Sequence, residues 1–192
     1  MSRLMGKAAL ERIRASRIKR RPETGWLEPA HLLTRLRTAR DFPELLTTRR
    51  KFAPEFEQQH LAAAWARSAK LAAVPQHKAW LDDNFDRVYP LREQTHDALR
   101  SDTLDDFHLS LAARAMATLG VGSEPPWSTF WLEACRRSAH ALEATTVLDL
   151  PANVAIALSA TASGHREPLL LDALSAAAEA RLDELDLGAL AE

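Results

Sequence analysis

Leu61-Ala-Ala-Ala-Trp65-Ala-Arg-Ser68-Ala-Lys-Leu71 returns 48 residues later as Leu109-Ser-Leu-Ala-Ala113-Arg-Ala-Met116-Ala-Thr-Leu119. At a further offset of 43 it returns again as Ala152-Asn-Val154-Ala-Ile156-Ala-Leu158-Ser-Ala160-Thr-Ala162. Small and apolar residues recur in each copy at the three-to-four spacing of a buried helix face. An acidic or apolar lead-in precedes each: Glu55-Phe56, Asp106-Phe107 and Asp149-Leu150, with a fourth copy expected to begin at Asp186-Leu187.

Longer helices are expected between the copies. Trp131 to Leu142 shows one face through Leu132, Cys135, Ala139 and Leu142; Leu171 to Leu185 shows another through Leu171, Leu174, Ala178, Leu182 and Leu185. The equivalent earlier helix, His77 to Arg100, is expected to break or kink at Pro90, whose ring and missing N–H oppose a helix interior. No alternating β-branched or aromatic run suggests a strand. The expected fold is all-α, an α-solenoid of helix-turn-helix repeats of about 37–48 residues, in which small side chains let neighbouring helices approach closely.

Composition agrees. The 192 residues suffice for one domain that buries roughly 70% of its unfolded surface. The apolar content is mostly Ala and Leu, with 6 Gly and 1 Tyr, which favours helices. A single cysteine, Cys135, excludes an internal disulfide, and charges interrupt every apolar run well before membrane-spanning length.

The net charge of -1 hides a division. Residues 1–51 carry 14 Lys/Arg against 5 Asp/Glu, a balance of +9; residues 52–192 carry 11 against 21, a balance of -10. The expected organisation is a basic N-terminal arm over 1–25 and a helical-repeat domain over 26–192. Met1 to Arg21 reads as a helix that is basic almost all round, ended by Pro22 and the turn Glu23-Thr24-Gly25. It lacks a clean apolar face for a membrane and suits a surrounding polyanion; its Arg-rich, acid-poor character is also that of a mitochondrial presequence. Beyond it, His31 to Arg40 forms a short helix, and Asp41-Phe42-Pro43-Glu44 reads as the capped start of the next.

Pro125-Pro126-Trp127 and Trp131-Leu132-Glu133-Ala134, followed by Leu142, Leu148-Asp149-Leu150, Ala152-Asn153 and Ala157-Leu158, resemble the octotricopeptide repeat of algal organelle RNA-binding proteins. Further upstream, His31-Leu32-Leu33-Thr34-Arg35-Leu36, Phe42-Pro43-Glu44-Leu45-Leu46 and His60-Leu61-Ala62-Ala63-Ala64 resemble the opening of such proteins and of the related FAST-kinase-like helical domains. The likeness spans Trp26 to the C-terminus. The spacings of 43 and 48 depart from the family's shorter repeat, and Ile156 stands where the family often has Trp. The resemblance implies an organellar protein that binds and stabilises RNA, in some members as a ribosomal subunit.

Enzymatic chemistry has no visible foothold. No two of the seven histidines stand at i, i+4, and no zinc motif, Walker loop, dinucleotide fingerprint or nucleophile elbow occurs. Gly120-Val121-Gly122-Ser123 reads as a linker, and Asp82-Asp83-Asp86 and Asp102-Asp105-Asp106 as caps and solvated faces. Trp65 and Trp131 belong to the core, while Trp26 and Trp127, in turns, are candidate platforms for bases.

The expectation is therefore a non-enzymatic, cofactor-free and metal-free RNA-binding protein that contacts rRNA and neighbouring proteins in a mitochondrial ribosome, with the chloroplast as the alternative organelle. Repeats too few for a long reading surface suit a subunit wedged into a large assembly. The candidate RNA contacts are Arg3, Lys7, Arg12, Arg14, Arg17, Lys19, Arg20, Arg21, Arg35, Arg37 and Arg40. The competing expectation is a protein-interaction scaffold whose acidic concave face grips basic neighbours without touching RNA.

Overall fold

In the computed structural model, residues 29–122, 125, 127–144 and 150–189 are described. Every regular element among them is helical, with no strand. The first hairpin is α1 (Pro29–Thr38) and α2 (Phe42–Phe52). Asp41 caps α2 by accepting the Glu44 N–H at 2.8 Å, Pro43 occupies the first turn, and Arg49, Arg50 and Lys51 face the negative end of the helix dipole.

The next helix, α3 (Gln58–Ala72), starts with a capping box built on a histidine: the Glu57 N–H donates to His60 Nδ1 at 3.0 Å. That leaves the ring proton on Nε2, which lies 3.1 Å from the Pro29 carbonyl and ties the start of α3 to the start of α1. The stretch His77 to Arg100 is two helices, α4 (Pro75–Asp83) and α5 (Tyr89–Arg100), joined by a 3-10 turn over Phe85–Val88. The break lies before Pro90, which sits in the first turn of α5, where its missing N–H leaves no bond unmade.

Asp105 caps α6 (Asp106–Thr118), and α7 (Ser128–Ala144), α8 (Leu150–Ala162) and α9 (Pro168–Ala189) complete the chain. One layer runs α1, α3, α6, α8, each packed on the next; a second runs α5, α7, α9, with α2 beside α1 and α3. Polar links join successive elements. Arg67 Nε donates to the Ala39 carbonyl at 2.7 Å, and the Asp105 N–H donates to Gln58 Oε1 at 2.8 Å. Arg49 Nε of α2 donates to Gln94 Oε1 of α5 at 3.0 Å, and within the second layer His96 Nε2 of α5 lies 2.8 Å from Glu133 Oε2 of α7.

The core lies between the layers. Leu61, Trp65, Leu71, Leu109, Ala113, Met116, Trp131 and Cys135 are all buried in it, as the repeat pattern requires. On α7 the buried side runs through Trp131, Ala134, Cys135 and Ala139, with Leu142 packed against it, whereas Leu132, expected on that side, is only partly buried and lies outside the core. Ala62, Ala63 and Ala64 of α3 and Ala112 and Ala113 of α6 are buried, so small side chains occupy the buried sides of two helices that pack on each other.

Further expectations need correction. The third copy registers at an offset of 44 rather than 43, because its buried positions are Asn153, Ile156, Ala157 and Ala160, opposite Leu109, Ala112, Ala113 and Met116, while Leu158 is exposed. On α9 the inward side runs through Leu170, Ala173 and Leu174; Leu171 and Ala178 are exposed, while the side chains of Leu182 and Leu185 lie outside the described residues. No new copy begins at Asp186-Leu187, which continue α9. Trp127 is buried, in contact with Trp65, Phe85 and Tyr89 and under the Arg92 guanidinium, so it is no surface platform. Sequence placed it in a turn correctly; its size and apolar neighbours draw the turn inward.

Gly120, read as part of a linker, is a helix stop. With φ at +75° it lets the Gly120 and Val121 N–H groups return to the Ala117 and Met116 carbonyls, and Gly164, 44 residues later at φ +83°, closes α8 the same way. The surroundings of Gly120 have room for a methyl, so the cost of substitution is conformational. Gly120→Ala is expected to lower unfolding free energy by about 1 kcal/mol in a urea titration.

Two carboxylates at helix starts, Asp105 and Glu44, also set an acid limit. Burial raises the Asp105 carboxyl, but bonds from the His108 N–H and ring outweigh it and hold the group below its ordinary 3.8. Glu44 is held below 4.5 chiefly by the Arg40 backbone N–H and then by the Arg40 side chain. Since both folded values are depressed, the unfolded chain binds more protons in acid. Their contribution is present above the ordinary values and disappears as pH falls through them to the folded ones. Urea midpoints are expected to drop between about pH 5 and pH 3, with a shallower drop in Asp105→Asn, which keeps the cap but does not titrate.

Candidate functional site

The outward side of the α1-α3-α6-α8 layer repeats as its buried side does. On α3, Gln59, Ala63, Ala66 and Lys70 form a stripe; 48 residues on, Phe107, Leu111, Arg114 and Thr118 form the stripe of α6. A further 44 on, Ala155, Leu158 and Ala162 continue it on α8. The stripes lie side by side because their helices do.

Two grooves run between them. The first, of about 310 Å³, is lined by Arg37 of α1, Arg67 and Lys70 of α3, and Phe107, His108 and Leu111 of α6, over a floor of Ala62, Ala63 and Ala66. Alanines at the floor keep it open, since no side chain projects far enough to fill it. The second, of about 480 Å³, lies between α6 and α8, with Arg114 at one side and Leu158 at the other. The four helices of this layer carry five Lys/Arg and a single carboxylate, Asp106, which bonds Arg137 Nε at 3.2 Å on the other side. Among the described residues, no Asp or Glu lines either groove.

The strip thus grades from basic at α1 and α3 to apolar at α8, where Val154 and Leu158 are exposed. Arg67 is partly committed, through its bond to the Ala39 carbonyl. Among the described residues, Arg37, Lys70 and Arg114 are exposed and form no ion pair. No family model, curated protein or solved structure matches the chain.

Of the expected RNA contacts, Arg3, Lys7, Arg12, Arg14, Arg17, Lys19, Arg20 and Arg21 lie outside the described residues, as does Trp26. Arg37 lines the first groove, but Arg35 and Arg40 do not. Arg40 Nε holds Glu44 Oε2 at 3.2 Å, and Arg35 adds to the positive field at the same carboxylate. Two positions from Arg37 on a helix, Arg35 points to a different side by geometry alone.

Arg67, Lys70, Arg114 and Phe107 were not singled out by sequence. The available signal was the aligned copies themselves: across them the acids are missing, and the outward positions hold Lys70, Arg114 and Phe107. Counting charge by segment concealed it. The -10 of residues 52–192 resides in the other helices and the connections; α9 alone has five Asp/Glu against one Arg. On this layer the two grooves present basic and apolar side chains.

No group of His, Cys, Asp and Glu among the described residues is arranged to hold a metal, and no described helix is long and apolar enough to cross a membrane. Cys135 is buried; burial, followed by the nearby Glu167, pushes its thiol up to about 12, which is the opposite of an activated nucleophile.

Proposed function

We propose that this chain is an RNA-binding helical-repeat protein that holds phosphate along the outward strip of its α1-α3-α6-α8 layer. The observation carrying this reading is the strip on which, among the described residues, no carboxylate lines the grooves and Arg37, Lys70 and Arg114 stand exposed without a carboxylate partner. Guanidinium and ammonium groups on adjacent helices can neutralise successive phosphates and release their counterions. The solenoid reading is supported by the layer order and by registers of 48 and 44 that superpose buried and outward positions alike.

The narrower setting is a mitochondrial ribosome, supported by the octotricopeptide resemblance and by the +9 balance of residues 1–51. There the basic arm lies in folded rRNA, and the apolar end of the strip, at Val154 and Leu158, meets a neighbouring protein. Co-migration with a ribosomal subunit through moderate salt supports that setting; recovery at the top of the gradient contradicts it.

The RNA reading is tested by fluorescence anisotropy of the full chain with single-stranded RNA at a series of salt concentrations. A log-log slope of about -2 or steeper is expected, corresponding to three or more phosphates at about 0.7 each. Removing residues 1–21 should flatten the slope without abolishing binding. Absence of salt-dependent binding would favour a protein-interaction scaffold.

A further inference from the structure

We infer that the first groove is a subsite for one unstacked nucleotide of single-stranded RNA, with its base on the Phe107 ring and its phosphate between Arg37 and Lys70. This rests on the RNA-binding reading and narrows it from a polyanion surface to a defined ligand. The starting point is Phe107, which is 61% exposed although it is one of the most apolar side chains available. It opens into a groove of about 310 Å³ that also presents Arg37, Arg67 and Lys70. That volume lies at the lower end of the roughly 300–1,000 Å³ typical of small-molecule sites.

The ring is oriented without being covered. Its partner is His108, with centroids 5.3 Å apart and planes at 83°, a perpendicular contact rather than a stack. His108 is held in turn by Asp105, whose Oδ1 lies 2.8 Å from the ring Nδ1 and 2.8 Å from the backbone nitrogen. The N-terminal cap of α6 therefore positions the platform. Leu111, one turn further on, extends the apolar side of the groove.

A flat apolar ring beside cations matches a nucleotide, whose base presents a π-face and whose phosphate presents charge. A duplex offers no such base, since its bases are stacked within and its surface is phosphate and sugar. An acidic peptide would use the cations but would gain little from an aromatic platform.

The test compares Phe107→Ala, Phe107→Trp and Lys70→Glu in the full chain, using a short oligouridylate, a duplex RNA and uridine monophosphate. Phe107→Ala should weaken the oligouridylate about tenfold, equivalent to roughly 1.4 kcal/mol. It should leave duplex affinity and the salt slope unchanged, and Phe107→Trp should restore binding. Because Phe107 is exposed, neither change threatens the fold, which circular dichroism checks. Unchanged oligouridylate affinity in Phe107→Ala, alongside a loss in Lys70→Glu, would overturn the base platform while leaving RNA binding intact. Equal loss on duplex and single strand would assign Phe107 to the backbone and also overturn it. Uridine monophosphate binding as tightly as the oligomer would mark a free-nucleotide pocket instead. If the unaltered chain binds neither RNA, the parent reading fails and this one with it.

Discussion

Trp65→Ala is expected to lower the unfolding free energy by about 3–5 kcal/mol, enough to unfold a marginal domain at ordinary temperature. Trp65 is the largest of the fully buried side chains with Trp131, and it sits in α3 at the meeting of both layers. Its indole N–H donates to Thr95 Oγ1 of α5 at 2.9 Å, and its ring meets Trp127 edge-on at 6.1 Å. Truncation removes the packing and leaves a cavity beside Thr95 of α5 and the Trp127 ring, which cannot both collapse onto it. Trp65→Phe separates the two contributions. It keeps an aromatic ring and loses only the hydrogen bond, whose partner Thr95 still donates to the Leu91 carbonyl at 2.8 Å. About 1 kcal/mol is then expected. Thermal and urea melts that leave Trp65→Ala indistinguishable from the unaltered chain would contradict the assigned packing.

Why Trp65 was legible as core and Trp127 was not illustrates what periodicity can carry. Trp65 lies inside a helix whose copy 48 residues later places Ala113 at the same position, so its inward face follows from spacing alone. Trp127 precedes α7, where no period applies. Its burial depends on Phe85 and Tyr89, more than 35 residues away, and on the Arg92 guanidinium 5.4 Å from its ring. The register of α8 failed for a related reason. In Ala152 to Ala162 nearly every residue is small or apolar, so a shift of one costs little in pattern matching. Gly120 and Gly164, both at positive φ and 44 apart, would have fixed it.

The site was less legible than the fold because charge belongs to faces and not to segments. Arg35, Arg37 and Arg40 are alike in sequence, yet what distinguishes Arg37 from Arg40 is that Glu44 is bonded to Arg40. Lys70 and Arg114 stand in a stretch whose total is negative, and only the arrangement of helices separates them from the acids of α9. Phe107 stands in the lead-in to a repeated helix, a position that carries no inward or outward sign; Leu109 is buried and Phe107 remains outside.

The combined substitution Arg37→Glu, Lys70→Glu and Arg114→Glu should weaken single-stranded RNA binding by on the order of a hundredfold at low salt and make the salt slope shallower by about 2, at about 0.7 per lost contact. Arg67 is left in place because its bond to the Ala39 carbonyl supports the α1–α2 turn. A control with Lys51, Arg136 and Arg166 all changed to Glu alters the net charge equally from exposed positions off the strip. It should change affinity only modestly, through the long-range field. Equal losses in both triples would mean that net charge, and not the strip, governs binding.

The most direct test of RNA binding on the α1-α3-α6-α8 layer is ultraviolet crosslinking of the full chain to RNA, followed by mass spectrometry of the peptide-nucleotide adducts. Adducts are expected on peptides from α3 and the first turns of α6, with Phe107 among the modified residues, alongside any from residues 1–21. Adducts confined to α7 and α9, or none above background anywhere in residues 29–189, would contradict it.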